Sequence, residues 1–579
     1  MGKQRLFALT LILLLSAALL LGCGGNGQTT QAPTETQSQP SDEVYRHGYI
    51  AAAEDKIYIF PDNKPVFSLE NTFYAESILV ELKTKEEAVI YYTTDGSEPD
   101  ETDIRYDPEE CIYILKKTRD LPEAITIKAR AYYPDGTCSA VAVHTYFCSA
   151  NIDKRFTTAV FVVTGEPAVL TEGPDGIFFG ENYHNRGDET EREVHIEAWD
   201  ADGAPMFSQY CGIRIYGGAS RASSIKSMKI YARKSYSSGI GKFHTDIFGT
   251  PTQYDAEKIV DEYDKLVLRN AGNDFQFGFI RDELCHRLAQ QAGFADYEAV
   301  VPAVVYLNGK YYGFFWLHES YCDDYFKQKY PNKEAQGEFI LAEGNERHKS
   351  EEEDEGKEVY AEEYNNVYNT FAYADLTNET VYNQLLKHID VENYLDYFAF
   401  NIYINNNDWP QNNYKCYRYV PADGERFTGV YDGRWRYLLH DTDFSFGLYG
   451  QKETAANYNN ISKILDPDSD RYAPLFDALM HRADCREYFM EKLTDLADGA
   501  ISGGNVTSTL YAMHVERCTE QDYLYLHMDA LRKAGDSSFW TSSYTLAENM
   551  DMIRAFANQR SDYILKYARR ALEKYAQAS

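Results

Sequence analysis

The chain has 579 residues and carries 57 Lys and Arg residues against 90 Asp and Glu residues, which leaves a net charge of -33. This balance argues against nucleic acid as a partner, because nucleic-acid binders gain affinity by placing clustered Lys and Arg against phosphates. The hydrophobic fraction of 44% and the charged fraction of 25% are those of a soluble globular protein, and they exclude disorder over most of the length.

The N-terminus has the pattern of a lipoprotein signal peptide. Lys3 and Arg5 precede an apolar run over residues 6–21, and this run leads through a glycine into Cys23. Cleavage before Cys23 leaves a thiol and an amino group that can carry several acyl chains, enough to hold the protein firmly on a bacterial membrane. The alternatives are an ordinary signal peptide or a transmembrane anchor, although the run is short for a span. We therefore expect an extracytoplasmic, lipid-anchored protein at the cell surface.

A small β module is predicted after a polar tether. Short alternating runs of β-branched and aromatic residues recur over residues 65–147, with turn signals such as Asp95-Gly96 between them. This spacing predicts an antiparallel β-sandwich. The strings at 90–99, IYYTTDGSEP, and at 140–147, AVAVHTYF, resemble the C-terminal-like module of chitobiase and β-hexosaminidase. Such a module can serve as a spacer or contact carbohydrate, and both roles stay open.

Strands, a helix and a hairpin follow the module. Strand patterns dominate residues 159–231, and helical periodicity first becomes clear over residues 279–292. Two further strands, at 303–307 and 312–317, flank the turn Asn308-Gly309, which is a strong hairpin signal. This part of the chain therefore predicts a mainly β half of a mixed domain.

The C-terminal half is predicted to be mainly helical. An acidic run at 351–355 marks a solvated insertion, helices dominate from residue 391, and residues 545–578 predict a long amphipathic helix. The predicted organisation is a signal peptide (1–22), a tether (23–55), a β-sandwich (60–148), and an α+β domain (155–579) with an N-lobe (about 155–320), an acidic insertion (about 345–364) and a C-lobe (about 385–579).

The most informative stretch is residues 405–415, NNNDWPQNNYK. Asp408 and Asn413 lie five positions apart, after a predicted helix and before a predicted strand. In the catalytic loop of protein kinases, the Asp of this spacing orients the substrate hydroxyl and the Asn holds a metal ion. A helix-capping pair is the alternative interpretation.

Two more acids follow at the end of a predicted strand. The strand at 435–440 runs directly into Asp441 and Asp443. Kinases place the Asp that binds magnesium across the nucleotide phosphates at such a strand end. A turn or a calcium loop would use the same residues.

A small-residue loop precedes these acids in the chain. Residues 217–224 read GGASRASS between two predicted strands, and their backbone amides can approach a phosphate group. Ser220 and Arg221 lie in this loop, and Lys226 and Lys229 follow it. Taken singly, the loop also fits a plain hairpin turn, and the lysines also fit solvated strand positions.

A predicted helix and a hairpin complete the order of parts. The helix carries Asp282 and Glu283, and the hairpin ends at Glu319. A strand lysine, a helix acid, a hairpin, a hinge, a catalytic loop and a metal-binding Asp follow one another in protein kinases in this order. Which lysine pairs with which helix acid stays open, and Glu319 fits a surface acid beside the hinge equally well.

Together these strings resemble the spore-coat protein H (CotH) kinase family of atypical secreted or surface-linked kinases. The resemblance implies an atypical protein-kinase-like α+β domain behind the small antiparallel β-sandwich. The loop at 218–221, GASR, departs modestly from the usual Gly-x-Ser-Ser/Thr-Arg of the family. The strings that carry the resemblance are residues 177–179, 185–188, 193–197, 212–221, 307–313, 407–413 and 441–444.

The resemblance also implies a role for each candidate residue. It implies ATP and Mg²⁺ or Mn²⁺ as cofactors. The implied roles are Asp408 as the catalytic-loop acid, Asn413 and Asp441 as metal ligands with Asp443 close by, Lys226 or Lys229 on the phosphates, Ser220 and Arg221 in the phosphate loop, and Glu319 at the hinge beside the adenine.

The activity implied is transfer of the γ-phosphoryl group of ATP to Ser or Thr of a surface or coat protein. The charge of -33 favours a basic segment in that protein substrate. One alternative is a catalytically inactive kinase fold that binds glycan or cell-wall partners. Another is a lipoprotein enzyme that acts on polysaccharide through paired carboxylates.

A further acidic loop has the spacing of a calcium site. Asp466, Asp468 and Asp470 alternate as in an EF-hand loop. Arg471 stands where an EF-hand requires glycine for its sharp turn. We therefore expect an acidic loop without a calcium ion.

Overall fold

The fold is known from a computed structural model, which describes residues 49–50, 60, 62–117, 122–344, 358–536 and 545–578. The predicted signal peptide, Cys23 and the acidic run at 351–355 lie outside these residues. Among the helices that the structure describes, none is both long and apolar enough to cross a membrane. A helix content of 34% and a strand content of 25% confirm the predicted α+β class.

The β module is built around one main sheet. Its strands are β1 (Tyr49–Ile50), β2 (Val66–Phe67), β3 (Phe73–Tyr74), β4 (Ile78–Val80), β5 (Leu82–Lys83), β6 (Val89–Thr93), β7 (Ile104–Arg105), β8 (Ile112–Ile114), β9 (Ala124–Tyr132) and β10 (Ala142–Cys148). The main sheet has the order β1-β3-β10-β9-β6-β7, and β2 with β5 and β4 with β8 form separate pairs. The module departs from a purely antiparallel sandwich at β3, which pairs in parallel with both β1 and β10.

A closed barrel follows the module. Its strands are β11 (Ala159–Thr164), β12 (Arg192–Trp199), β13 (Pro205–Ile215), β14 (Met228–Tyr231), β19 (Lys265–Arg269), β20 (Val300–Leu307) and β21 (Lys310–Glu319). The barrel has the order β11-β12-β13-β14-β19-β21-β20 and closes through a parallel pairing of β11 with β20. Asn308 and Gly309 join β20 to β21 with φ of 45° and 77°, the positive values that a tight hairpin turn requires, so the predicted hairpin is confirmed.

Short helices and strands lie in the connections between the barrel strands. They are helix α1 (Pro167–Leu170), the strands β15 (Phe243–His244), β16 (Pro251–Thr252), β17 (Asp255–Ile259) and β18 (Glu262–Tyr263), and helix α2 (Arg281–Gln291). The predicted helix at 279–292 is α2, and its residues from Arg281 to His286 are all buried. Helix α2 is therefore an internal element, and its acids lie inside the protein.

The C-terminal lobe combines helices with a small sheet. Its elements are α3 (Asp323–Lys329), β22 (Glu338–Gly344), α4 (Glu358–Phe371), α5 (Glu379–Leu385), α6 (Val391–Ile404), β23 (Tyr414–Val420), β24 (Arg436–Leu438), α7 (Ile461–Ile464), α8 (Pro474–Met480), α9 (Ala483–Asp498), α10 (Gly503–Lys533) and α11 (Leu546–Ala578). The predicted long helix at 545–578 is confirmed as α11. A capping box starts it, because Thr545 Oγ1 accepts from the Glu548 backbone N–H at 3.2 Å while the Glu548 carboxylate accepts from the Thr545 backbone N–H at 2.7 Å.

Part of the module packs into a hydrophobic core that it shares with the barrel, and the rest of the module encloses a core of its own. Phe147 of β10 packs edge-on against Tyr306 of β20, with ring centroids 5.0 Å apart. Phe73 of β3 packs against Trp199 of β12 at 5.6 Å. Aromatic side chains bury large areas in such contacts, so the module is held against the barrel by packing as well as by the chain connection.

Candidate active site

The candidate site lies where the candidate catalytic loop, residues 405–413, meets the end of β24. Asn405 ends helix α6, Asn413 precedes β23, and Asp441 follows β24. All three adopt the left-handed backbone conformation, with φ of 53°, 56° and 48°. Asn and Asp tolerate this conformation better than most residues, and strained backbone of this kind concentrates at functional sites.

Asp408 and Asn413 are joined by a hydrogen bond. The Asn413 side-chain amide donates to Asp408 Oδ2 at 3.1 Å, and the amide of Asn412 donates to Asp408 Oδ1 at 2.8 Å. The same Asn413 nitrogen lies 3.5 Å from the Asp441 carbonyl oxygen. The structure therefore brings together three residues that the sequence analysis singled out separately.

Charge accumulates around this group. Burial and the nearby Asp441 carboxylate raise the pKa of Asp408 above its usual value. Asp443 is fully buried and accepts hydrogen bonds from the Asn273 backbone N–H at 2.6 Å and from its side chain at 3.2 Å. Burial and Asp441 raise the pKa of Asp443 well above the usual range. A cation placed among these carboxylates would relieve their repulsion.

Arg269, at the end of β19, supplies positive charge to the site. Its guanidinium forms ion pairs with Asp441 and, at 3.4 Å, with Asp443. Its Nε lies 3.3 Å from Asp282 Oδ2 on α2. Burial acts to raise the pKa of Asp282, but the Arg269 guanidinium holds that pKa below its usual value. The sequence analysis expected an ion pair between a strand lysine and a helix acid. The structure has such a pair between Arg269 and Asp282, so the cation is an arginine that the sequence analysis missed.

The two candidate lysines occupy different places. Lys226 is buried, its Nζ donates to the carbonyl oxygens of Arg221 and Ser223 at 2.7 Å each, and burial lowers its pKa to about 8. Lys229 lies opposite Val267 in the pairing of β14 with β19. Paired strand residues share a face, and Val267 is two positions from Arg269, so Lys229 lies on the face that carries Arg269.

The small-residue loop is tied down by Arg221. Its guanidinium donates to the Gly217 carbonyl at 2.6 Å and to the Tyr183 carbonyl at 3.0 Å. Gly217 has a φ of 103°, and a Cβ there would lie 2.4 Å from the hydroxyl of the half-buried Ser220. The loop conformation therefore requires glycine at position 217.

Glu319 ends β21 and is buried. Its Oε2 accepts from the backbone N–H of Ala299 at 2.9 Å, and burial raises its pKa to about 7. Its carboxylate therefore ties two neighbouring segments together at the end of the barrel.

A buried cluster of acids and histidines lies behind Asp282. His318 bonds Glu283 through Nε2 at 3.3 Å and Glu298 through Nδ1 at 3.1 Å. Burial favours the neutral ring, but the two carboxylates raise the pKa of His318 to about 9.

Among the described residues, Asp282, His286 and His318 place possible metal-ligand atoms within 4.8 Å of one another. Both ring nitrogens of His318 serve carboxylates, and His286 Nδ1 accepts from the Glu298 backbone N–H at 3.1 Å, which leaves its proton on Nε2. Neither histidine keeps a nitrogen lone pair for a metal, so we interpret the cluster as a hydrogen-bonded support for α2.

Arg471 holds the catalytic loop from its other side. Its guanidinium donates to the Asn406 carbonyl at 2.6 Å, to the Trp409 carbonyl at 2.7 Å and to Asn407 Oδ1 at 3.0 Å. Burial lowers the pKa of Arg471 to about 10, so it stays charged at neutral pH. The residue that argued against a calcium loop therefore has a structural task of its own.

Two family models match the chain. One, described as CotH kinase protein, matches residues 213–564, which include the small-residue loop, Arg269, the catalytic loop and Asp441. The other, described as Fn3 associated, matches residues 80–146 within the β module, where the likeness to a chitobiase module stays a prediction. No curated protein matches the chain.

Proposed function

The chain belongs to the CotH kinase family, and from this premise we propose that it is an atypical protein kinase that transfers the γ-phosphoryl group of ATP to Ser or Thr of surface or coat proteins. One observation carries the proposal. Asp408 and Asn413 are hydrogen-bonded at 3.1 Å, with Asn413 in reach of Asp441. Phosphoryl transfer needs the residue that orients the hydroxyl to lie beside the residues that hold the metal, and the bond to Asp408 and the 3.5 Å approach to the Asp441 backbone carbonyl support that arrangement here.

The oxygen ligands of the site fit Mg²⁺ or Mn²⁺. The Asn413 amide nitrogen donates to Asp408, which leaves the Asn413 amide oxygen for a cation. The Asp441 side chain is 28% exposed, so its carboxylate can also reach a cation. Amide and carboxylate oxygens are the ligands these hard cations prefer. Asn413 and Asp441 would hold the ion, with Asp443 close behind them. When bound, the ion neutralises the charge of the polyphosphate.

The residues of the chain position the reaction around that charge. Asp408 orients the substrate hydroxyl, whose oxygen bonds to the γ-phosphorus while the bond to the ADP oxygen breaks, and Asp408 accepts the hydroxyl proton. Its raised pKa, caused first by burial, makes it a better proton acceptor than an exposed Asp. Its bonds to Asn412 and Asn413 fix the carboxylate, and positioning of this kind supplies most of the catalysis in phosphoryl transfer.

Lys229 is the lysine that we assign to the phosphates. It lies on the face of β14 and β19 that also carries Arg269. Lys226 donates to two loop carbonyls and Arg221 to the Gly217 and Tyr183 carbonyls, so these two residues instead shape the loop from which Ser220 approaches the nucleotide. Glu319 is assigned to the hinge beside the adenine through its place at the end of β21.

We propose the cellular setting from the sequence alone. Acylation of Cys23 would hold the enzyme on a bacterial membrane with its catalytic domain outside the cytoplasm. The charge of -33 favours basic protein substrates at that surface. The β module would act as a spacer or as a carbohydrate contact.

Thermal stabilisation by nucleotide tests the site. The lipid-free chain from residue 24 onward is heated with ATP, with and without Mg²⁺ or Mn²⁺, beside Asp441→Ala and the exposed control Asp423→Ala. A ligand at about 100 times its Kd stabilises a protein by roughly 2.7 kcal/mol. We expect metal-dependent stabilisation of the wild type and the control that is lost in Asp441→Ala. No shift with any nucleotide and metal would refute the proposal.

The ion pair of Arg269 with Asp441 favours one second candidate, an inactive kinase fold that binds surface partners. In that case the arginine permanently neutralises the carboxylate that would hold the metal. Nucleotide binding would then be absent or independent of metal. The same melting experiment separates the two functions, because only the kinase requires Asp441 for metal-dependent stabilisation.

A further inference from the structure

A cleft between the β module and the barrel has features of a binding site that phosphoryl transfer does not use. We propose that this cleft binds a neutral saccharide. Its volume of about 640 Å³ lies within the roughly 300–1,000 Å³ of ligand pockets. One wall comes from the segment around β2 and from residues 140–144 of the module, and the other from residues 208–210 and from the segment near Ser237.

The two walls are fixed relative to each other. The shared core joins them through the ring pairs Phe147 with Tyr306 and Phe73 with Trp199. A buried hydrogen bond from Thr145 of β10 to Glu197 of β12 adds a polar link. Because the cleft is formed before a ligand arrives, binding does not have to order its walls.

The charges along the cleft are largely compensated. Lys64 and Asp62 form a pair at 3.2 Å. Glu98 accepts from Lys128 at 2.6 Å and lies 3.3 Å from Arg130. Because the lining cations Lys64 and Arg130 already face carboxylates, a phosphate, a nucleotide or an acidic glycan would have to compete with those carboxylates and is disfavoured.

One ring and the small polar groups of the cleft remain neutral. Burial lowers the pKa of His195 to about 3, so this ring carries no charge at physiological pH. Ser208 and Ser237 add exposed hydroxyl groups on the barrel side. The hydrogen-bonding groups of this wall therefore suit an uncharged, hydroxyl-rich ligand.

Aromatic rings and small aliphatic side chains complete the surface. Phe67 and His144 lie together on the module wall with ring centroids 5.6 Å apart, and Tyr210 lies on the barrel wall. Val141 and Val143 add half-buried aliphatic side chains to the module wall. A pyranose ring presents a C–H face to aromatic and aliphatic groups and hydroxyls at its edge, which matches this combination of rings, methyl groups and serines.

Direct binding of neutral oligosaccharides tests the proposal. The probes are di- and trisaccharides of glucose, mannose, N-acetylglucosamine and N-acetylgalactosamine, measured on the lipid-free chain by saturation-transfer NMR and calorimetry. Ser208→Trp, at an exposed position of β13, and Val141→Trp, at a half-buried loop position before β10, fill the cleft from opposite walls. Leu79→Trp, at a position 48% exposed on β4 and outside the cleft, is the matched control.

We expect saturable binding of at least one probe, weakened at least about tenfold in both cleft variants and unchanged in Leu79→Trp. Asp441→Ala should leave this binding intact, so failure of the kinase proposal does not affect the result. Absence of binding by every neutral probe would overturn the proposal, as would equal binding by the cleft variants. The proposal would also be overturned if an extended peptide bound instead of the sugars and the two cleft variants abolished that binding.

Discussion

Removal of the Arg471 guanidinium should damage the catalytic loop more than any other change outside the reacting groups. The side chain is 6% exposed and donates to the carbonyl oxygens of Asn406 and Trp409, which flank Asp408. Arg471→Ala leaves both carbonyls without this donor in a buried place. The loop then loses the contact that fixes the position of Asp408.

The expected cost follows from the number of contacts. A hydrogen bond from a charged donor contributes roughly 1.5–3 kcal/mol, so loss of the contacts to the two buried carbonyls should cost about 3–6 kcal/mol, whereas the half-buried Asn407 side chain can bond water instead. This is below or comparable to the roughly 5–15 kcal/mol that stabilises a typical domain, so the variant should fold at low temperature. Arg471→Lys should lie between Ala and the wild type, because lysine keeps the charge but lacks the planar fork.

Denaturant unfolding and phosphoryl transfer measure the two consequences. We expect Arg471→Ala to lower the unfolding free energy by the amount given above and to reduce kcat more than the affinity for ATP. The control is Arg570→Ala, an exposed arginine on α11, which should match the wild type. If Arg471→Ala keeps both its stability and its kcat, the assigned role of Arg471 is wrong.

Two further predictions concern the phosphate loop and the buried cluster. Gly217→Ala should weaken ATP binding in calorimetry, because position 217 has a φ of 103° and a Cβ there would lie 2.4 Å from the Ser220 hydroxyl. Gly218→Ala is the control and should bind ATP as the wild type does, because a Cβ at position 218 would have nothing within 4 Å. Equal loss of ATP binding in both variants would contradict this prediction. The pKa of His318 is raised from 6.5 to about 9, so its positive charge stabilises the fold fully below pH 6.5, and this contribution is lost as the pH rises through about 9. The shift in pKa corresponds to at most about 3 kcal/mol of unfolding free energy. In denaturant titrations, the loss of unfolding free energy in His318→Gln relative to the wild type should therefore shrink between pH 6.5 and pH 9. A loss that does not depend on pH would refute the role assigned to the His318 charge.

The catalytic loop and the strand-end acids were accessible from the sequence because their spacing is local. Asp408 and Asn413 lie on one loop, and their hydrogen bond needs no distant partner. The hairpin at Asn308 and Gly309 was equally predictable, because Asn and Gly favour the positive φ values that its turn requires.

Arg269 and Arg471 were not accessible, because their partners are remote in the chain. Arg269 meets Asp441 across 172 positions, and Arg471 meets Asn407 across 64. Only the closed barrel and the packed C-terminal lobe bring these groups together. The choice between Lys226 and Lys229 stayed open for the same reason, since both follow the loop and only the pairing of β14 with β19 separates them.

The proposed kinase activity is measured most simply as phosphoryl transfer from radiolabelled ATP to basic peptides that contain Ser or Thr. The wild type is compared with Asp408→Asn, which keeps the shape of the side chain but removes its charge, and with the exposed control Asp423→Asn. We expect metal-dependent labelling by the wild type and the control, and a fall of about 10²–10⁴-fold in Asp408→Asn. Undiminished labelling by Asp408→Asn would contradict this expectation, as would the absence of labelling by the wild type with either Mg²⁺ or Mn²⁺.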